Sequence, residues 1–318
     1  MTGTKPEAGK ATPPPRKSPP RPQRQAQDRH SNPPQEVPEP QAPELPPDSG
    51  PANPPGPDSS TTQTAAMTAT ISSERSDDFM KQVHFTLQGK GGVGKSFVSS
   101  LITQYLRAKG EPVVAVDTDP VNATLAGYKA FGTQRLELME GGSLVERNFD
   151  ALIERVVAED SHFVIDNGAA SFIPLSYYIA ENDAINVIAG HGKQVVIHTV
   201  ITGGQAIRDT LAGFASLVEQ MPEETRIVVW LNEFFGDIEA EGKTFEEMKV
   251  YQNNRDRVHG LVRIARQTGS TFGKDVQLML DSKLTFDEVA ASPDFGLMAK
   301  SRLAQVKKAI FEQLAAVI

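Results

Sequence analysis

The amino-acid sequence predicts an α/β fold: a parallel twisted sheet with helices on both faces. Three observations carry this. Short runs at residues 112–117, 162–166, 184–189, 195–200 and 226–232 are largely apolar instead of alternating, as strands covered on both sides are. Stretches with helical spacing separate several of these runs, and strand–helix alternation selects right-handed crossovers and a parallel sheet. A glycine-rich turn joins the first β-prone segment to the first helical one, at a strand's carboxyl end, where such sheets bind ligands.

Composition marks the limits of that domain. Of 23 prolines in the 318 residues, 18 lie in the first 60, and residues 1–78 contain no Phe, Tyr or Trp. Such a segment has little with which to build a core. It is predicted to be a disordered Pro-rich arm, with Pro13-Pro14-Pro15 favouring polyproline II. Residues 79–318 suit one large domain. The chain has no cysteine, which excludes disulfides, thiolate zinc sites and cysteine-held iron–sulfur clusters. No run approaches the ~20 apolar residues that span a bilayer, so the chain is read as soluble and cytoplasmic. The net charge of −8 is uneven: residues 79–248 carry 13 Lys and Arg against 23 acids, residues 249–308 carry 11 against 6, and residues 1–30 carry 7 against 2. The acidic body is a poor nucleic-acid cleft, whereas the basic stretches suit a polyanion.

The elements follow in order. Residues 82–88 alternate and are β-prone; a glycine loop follows; residues 96–109 place Val98, Leu101, Ile102, Tyr105 and Leu106 at helical spacing, closed by Gly110. Pro112 opens the next strand and acids end it. Further helices are predicted at 144–157, 205–221 and 245–257. The last helix sets Leu303, Val306, Ile310, Leu314 and Val317 on one face, with Arg302, Lys307, Lys308 and Glu312 elsewhere. Packing on the body's own sheet is the ordinary use of such a face; lying on a membrane is the other.

Gly89-Lys90-Gly91-Gly92-Val93-Gly94-Lys95-Ser96 satisfies G-x-x-x-x-G-K-[ST] between a strand and a helix, the P-loop of nucleoside triphosphatases. Glycines let backbone N–H groups curl around phosphate oxygens, and the helix N-terminus adds a favourable dipole. Lys95 reaches the β/γ-phosphates, and the Ser96 hydroxyl ligates Mg²⁺. Carboxylates are needed beside the metal and the attacking water. Asp117 and Asp119 close the second strand, with a surface turn as the alternative for Asp119. Asp166 closes the run 163–165, with a helix cap or turn as its alternative. None of the six histidines has H-x-x-x-H spacing, and no G-x-S-x-G occurs. Gly203-Gly204 reads as a strand-to-helix turn, with a second anion site as the lesser alternative.

Lys90 at the second loop position makes this G-K-G-G-V-G-K-S, which resembles the deviant Walker A motif of the ParA/MinD family of ATPases. The resemblance implies that Lys90 reaches across a homodimer to the nucleotide of the partner subunit. Asp117-Thr118-Asp119-Pro120 is similar to the family's D-x-D-P switch, implying that Asp119 positions the attacking water and Asp117 supports the magnesium shell. Asp166, in Val164-Ile165-Asp166-Asn167-Gly168, resembles the Walker B aspartate. Asn232 stands where the family often keeps an adenine-contacting Asn; a strand-end Asn satisfied by main chain is an equal reading. Val121 departs from the Gln that partition members often have there, and the absence of cysteine excludes the iron–sulfur branches.

From His84 onwards the chain is more closely similar to TraL-type conjugal transfer proteins, through residues 87–96, 117–124, 164–169 and 197–204. The implied activity is Mg-ATP binding and slow or partner-stimulated hydrolysis of ATP to ADP and phosphate, in a dimerisation switch accessory to plasmid or integrative-element conjugation. Its partners would be proteins of the conjugation machinery, with DNA and, through the last helix, the inner membrane less favoured. The alternatives are a partition or positioning ATPase that binds DNA through 249–308, and a non-hydrolysing nucleotide-gated module recruiting partners through the arm.

Overall fold

A computed structural model describes residues 80–140, 143–266 and 271–318. The arm expected over residues 1–78 lies outside them. Apolar and β-branched residues build β1 (Gln82–Thr86), β2 (Val113–Asp117), β4 (His162–Asp166), β5 (Gln194–Thr202), β6 (Arg226–Asn232) and β7 (Val258–Ile264); β3 (Gln134–Arg135) is a two-residue edge. All seven pair in parallel in the order β7-β6-β5-β1-β4-β2-β3. The chain therefore leaves β1 to one side and later returns to its other side, which puts the loop after β1 at a switch point of the sheet.

Side chains of successive strand residues point to opposite faces, so each strand feeds two cores. Val83, Phe85, Phe163, Ile165 and Ile197 pack beneath α2 (Glu146–Ala158), α3 (Phe172–Glu181), α4 (Ala184–Gly190) and α5 (Ile207–Gln220). Val164, Val196, Val200, Val228 and Trp230 pack beneath α1 (Lys95–Ala108), α6 (Phe272–Asp281), α7 (Phe286–Ala291) and α8 (Leu297–Leu314). Each such buried aliphatic or aromatic side chain contributes roughly 1.5–3 kcal/mol. The apolar face of α8 is spent in this second core: Leu303, Val306, Ile310, Leu314 and Val317 are all buried. Among the described residues no helix is long and apolar enough to cross a membrane.

Two sequence expectations are corrected, and one strand escapes the sequence reading. Residues 184–189 form α4, not a strand, with Ala184, Ile185 and Ile188 buried on one side; a short apolar run does not distinguish the two states by periodicity. The helix expected over 245–257 is broken into 3₁₀ turns, Phe245–Glu247 and Arg255–Arg257, around the short helix Lys249–Gln252. A Thr244/Glu247 capping box starts the first turn and extended Met248, at ψ 142, ends it. The edge strand β7 escapes the pattern because it is half polar and bulged between Val258 and Gly260. That edge is covered from α8: the Gln313 amide accepts from Arg263 N at 2.7 Å and donates to Arg263 O at 3.1 Å, as a further strand would.

Below the first strand's end lies a buried polar chain whose direction is set by its donor. Trp230 Nε1–H only donates, and it donates to His198 Nδ1 at 3.0 Å. His198 therefore carries its proton on Nε2 and donates to His84 Nδ1 at 3.0 Å. His84 is left with a buried Nε2–H that has no partner among the described residues. Burial pushes His198 down to about 3 and His84 well below the ordinary imidazole value, neighbouring His198 and His162 adding to the latter. Both rings should keep the Nε2–H tautomer from pH 7.5 to pH 5 in ¹⁵N-imidazole NMR. Because the unfolded chain binds these protons first, their stabilisation is complete above about pH 6.5 and falls by up to about 1.4 kcal/mol per ring per pH unit below it. Protonation of either ring at pH 6 would contradict this network.

Candidate nucleotide site

The loop after β1 owes its shape to glycine. Gly92 at φ 75 and Gly94 at φ 101 are left-handed, a region an L side chain rarely occupies, and a Cβ on Gly94 would meet Asn232 Nδ2 at 2.8 Å. Gln88 anchors the loop's entry, donating to the carbonyls of Val200 at 3.0 Å and Thr210 at 3.2 Å. Lys95 is buried and donates to the Lys90 carbonyl at 3.0 Å. Burial lowers its pKa, while the nearby carboxylates of Asp166 and Asp119 act in the opposite direction.

Asp166 ends β4 between β1 and β2, paired in register with Thr86 and Asp117. It is fully buried. Ser99 donates to its Oδ1 at 3.0 Å and the Thr86 hydroxyl lies 2.8 Å from Ser99 Oγ, whereas Oδ2 has no partner among the described residues. Burial pushes the carboxyl up to about 7, the nearby Ser96 and Ser99 hydroxyls opposing the rise and Asp117 adding to it. A buried carboxylate oxygen without a donor, beside the P-loop serine, fits a hard cation. No group of three or more metal-ligating side chains occurs among the described residues. Ser96 and Asp166 are the residues that could hold such a cation. Asp117 stands behind them: its Oδ1 accepts from Asp119 N at 3.1 Å and its Oδ2 from Ala126 N at 2.9 Å, so it shapes the following loop.

Asp119 is half-buried and organises its own turn, Oδ1 accepting from Val121 N at 2.8 Å and Asn122 N at 3.1 Å. It approaches Gly168 so closely that a Cβ there would lie 2.9 Å from its Cγ. Asp119, Gly91, Gly92 and residues 94–97 line a cavity of about 510 Å³ with Tyr128 and Lys283. Across Phe97 a second, mainly apolar cavity of about 590 Å³ is lined by Asn232, Phe234, Phe235, Leu280 and Ile310. The first has the chemistry for phosphates, the second for a flat apolar ring system.

Asn232 is committed to main chain at both ends of its amide, donating to Val93 O at 2.9 Å and accepting from Phe234 N at 3.1 Å, while lining the second cavity. Lys90 stands outside both cavities and pairs with Asp209 on the first turn of α5 at 2.8 Å. The Gly203-Gly204 pair serves close packing, since a Cβ on Gly203 would collide with the carbonyls of Gly236 and Asp237. Sequence reasoning missed Phe97, the Phe234–Phe235 pair, Asp209 and Lys283. Only adjacent aromatics directly after a strand-end Asn offered a signal.

Residues 85–275 match the CobQ/CobB/MinD/ParA nucleotide binding domain. The chain is similar to two proteins named TraL from Escherichia coli, 47% and 46% identical over 235 residues, covering 74% of this chain and 98% of each relative. Among solved structures it is similar to the MinC:MinD cell division protein complex of Aquifex aeolicus, 12% identical with a TM-score of 0.42, covering 73% of this chain and 96% of the other.

Replacing Asp166 by Asn should stabilise the protein in the absence of nucleotide and metal. The native carboxyl holds its proton to about pH 7 while the unfolded one releases it near 4, so the native state loses stability as pH rises between those values. The gain from Asn should grow from pH 4 to pH 7 and level off above, measured by urea unfolding. A pH-independent difference would contradict the burial argument.

Proposed function

The chain belongs to the CobQ/CobB/MinD/ParA nucleotide-binding family and within it to the TraL proteins, and from that premise we propose that it is a Mg-ATP-dependent dimerisation switch that slowly hydrolyses ATP. The observation that carries this reading is the P-loop opening onto a phosphate-suited cavity with Asp119 on its wall and the buried, half-satisfied Asp166 beneath. Backbone amides of residues 91–95 and Lys95 would hold the β- and γ-phosphates. Asp119 would orient the attacking water. Mg²⁺ on Ser96, with Asp166 and Asp117 behind it, would offset phosphate charge.

Lys90 supplies the switch in this proposal. Its pair with Asp209 is solvent-exposed, and such pairs are worth about 0–1 kcal/mol, so a phosphate held by a second copy competes for the lysine at little cost. ATP moves the monomer–dimer balance only by binding the dimer more tightly, and a lysine contact across the interface is such a differential interaction. The likeness to TraL proteins supports an accessory cytoplasmic role in plasmid or integrative-element conjugation, with proteins of the transfer machinery as partners. A partition role through DNA draws less support. Many cations of 249–308 are committed internally: Arg257 to the carbonyls of Val218, Met221 and Pro222, Arg263 to Glu233 and Glu246, Arg302 to Asp275, and Lys307 to Asp287.

Light scattering after size exclusion tests the proposal on the full chain with Mg-ATP and Mg-ADP. A dimer is expected only with Mg-ATP, accumulating in Asp119→Ala and lost when Lys90→Ala is added. A monomer under every condition would remove the switch and leave a nucleotide binder.

A further inference from the structure

Three described helices of this protein, α1, α4 and α6, end in the same hydrogen-bonded motif, the first two with glycine (Gly110, Gly192) and the third with lysine at its strained position. At the end of α1, Glu111 N donates to Leu106 O at 3.1 Å and Gly110 N to Arg107 O at 2.9 Å, with Gly110 at φ 81. At the end of α6, Leu284 N donates to Met279 O at 3.1 Å and Lys283 N to Leu280 O at 3.1 Å, with Lys283 at φ 53. The motif requires a left-handed residue, and glycine is its usual occupant because a Cβ there crowds the following carbonyl. Helix termination alone does not call for lysine at 283.

The lysine's direction supplies a reason for it. Its stem runs along Gly127, where a Cβ would lie 3.3 Å from Lys283 Cγ and 3.6 Å from Cδ, so a larger residue at 127 would crowd it. Its ammonium group is 6.0 Å from the Tyr128 ring centroid and ion-pairs with no described residue. It lines the same cavity as Lys95, Ser96 and Asp119, from an element more than 160 residues further along the chain. A cation with no carboxylate partner among the described residues, held in a disfavoured backbone conformation on the wall of an anion-suited cavity, is arranged for an anionic ligand.

We infer that Lys283 is a phosphate-binding residue of the nucleotide cavity, contributed in cis from the carboxyl-terminal part of the chain. This rests on the reading that the cavity takes a nucleoside di- or triphosphate. The contact would also tie the α6–α7 connection to the occupied loop, so that helices packed on the sheet beyond β7 sense the nucleotide.

Calorimetric titration of the full chain with Mg-ADP, together with thermal melting without ligand, tests this. Lys283→Gly should melt at the parent temperature or above, because glycine suits φ 53. Its affinity for Mg-ADP should nevertheless fall about tenfold, the loss of one charge-assisted phosphate contact, while Lys283→Arg stays within about threefold of the parent. Stability and affinity moving in opposite directions is an outcome that a purely structural lysine does not produce. If Lys283→Gly melts lower, Lys283→Gln decides: the same loss supports the assignment and parental affinity overturns it. Parental affinity in a well-folded Lys283→Gly, alongside impaired Lys95→Ala, overturns this inference alone. No binding by the parent overturns the nucleotide reading with it.

Discussion

A carboxylate at the centre of a parallel sheet constrains everything around it. Asp166 is fully buried at the end of β4, a position where an ionised group is stable only if charge or hydrogen bonds compensate it. The fold supplies part of that compensation: Ser99 from α1 reaches Oδ1, and Thr86 from β1 backs Ser99. These contacts tie the first two turns of α1 to the strand beside β1, which fixes where the P-loop between them opens. The compensation is incomplete, because Oδ2 has no partner among the described residues, and burial pushes the carboxyl up to about 7. A buried carboxylate oxygen without a protein donor costs stability, and its chemistry suits a cation.

The two cores serve that loop from opposite sides. α1, α6, α7 and α8 cover one face and supply Phe97, Leu280 and Ile310 to the apolar cavity, while β6 supplies Asn232 at the same rim. The loop after β2 crosses the sheet's carboxyl edge, and Asp117 spends both carboxylate oxygens on shaping it so that Asp119 stands in the other cavity. Asn232 joins the two regions: it braces Val93 and closes on Gly94, so β6 is coupled to the phosphate loop through one amide. Polar groups buried at strand ends are thus the means by which a rigid sheet positions a loop, Asp117 and Asn232 held by main chain and Asp166 by the Ser99 hydroxyl.

The sheet's weakest boundary is managed with equal economy of means. β7 is an edge strand with a bulge, and Gly260 gives Val317 room to pack on it while Gln313 satisfies Arg263 in both directions. The same helix that buries its apolar face in the core therefore also shields the edge from pairing with another chain. That double use explains why the amphipathic pattern of α8 is compatible with a membrane-seeking helix in the sequence and with an internal one in the fold.

What the sequence determined by itself was local. Eight contiguous residues, 89–96, define a loop whose dihedrals need glycine at 92 and 94, and apolar runs ending in Asp117 and Asp166 place two acids at strand ends, because backbone geometry and strand burial are written in neighbouring residues. The tertiary structure decided the rest. Residues 184–189 became a helix when packing under the sheet favoured one buried stripe, and β7 formed only as a neighbour to β6. The order of the strands, the burial that raises Asp166, the pairing of Lys90 with Asp209 and the arrival of Lys283 at the cavity all depend on contacts between distant segments. Local periodicity carries no record of which distant surface a side chain will meet, and for these residues that surface sets the chemistry.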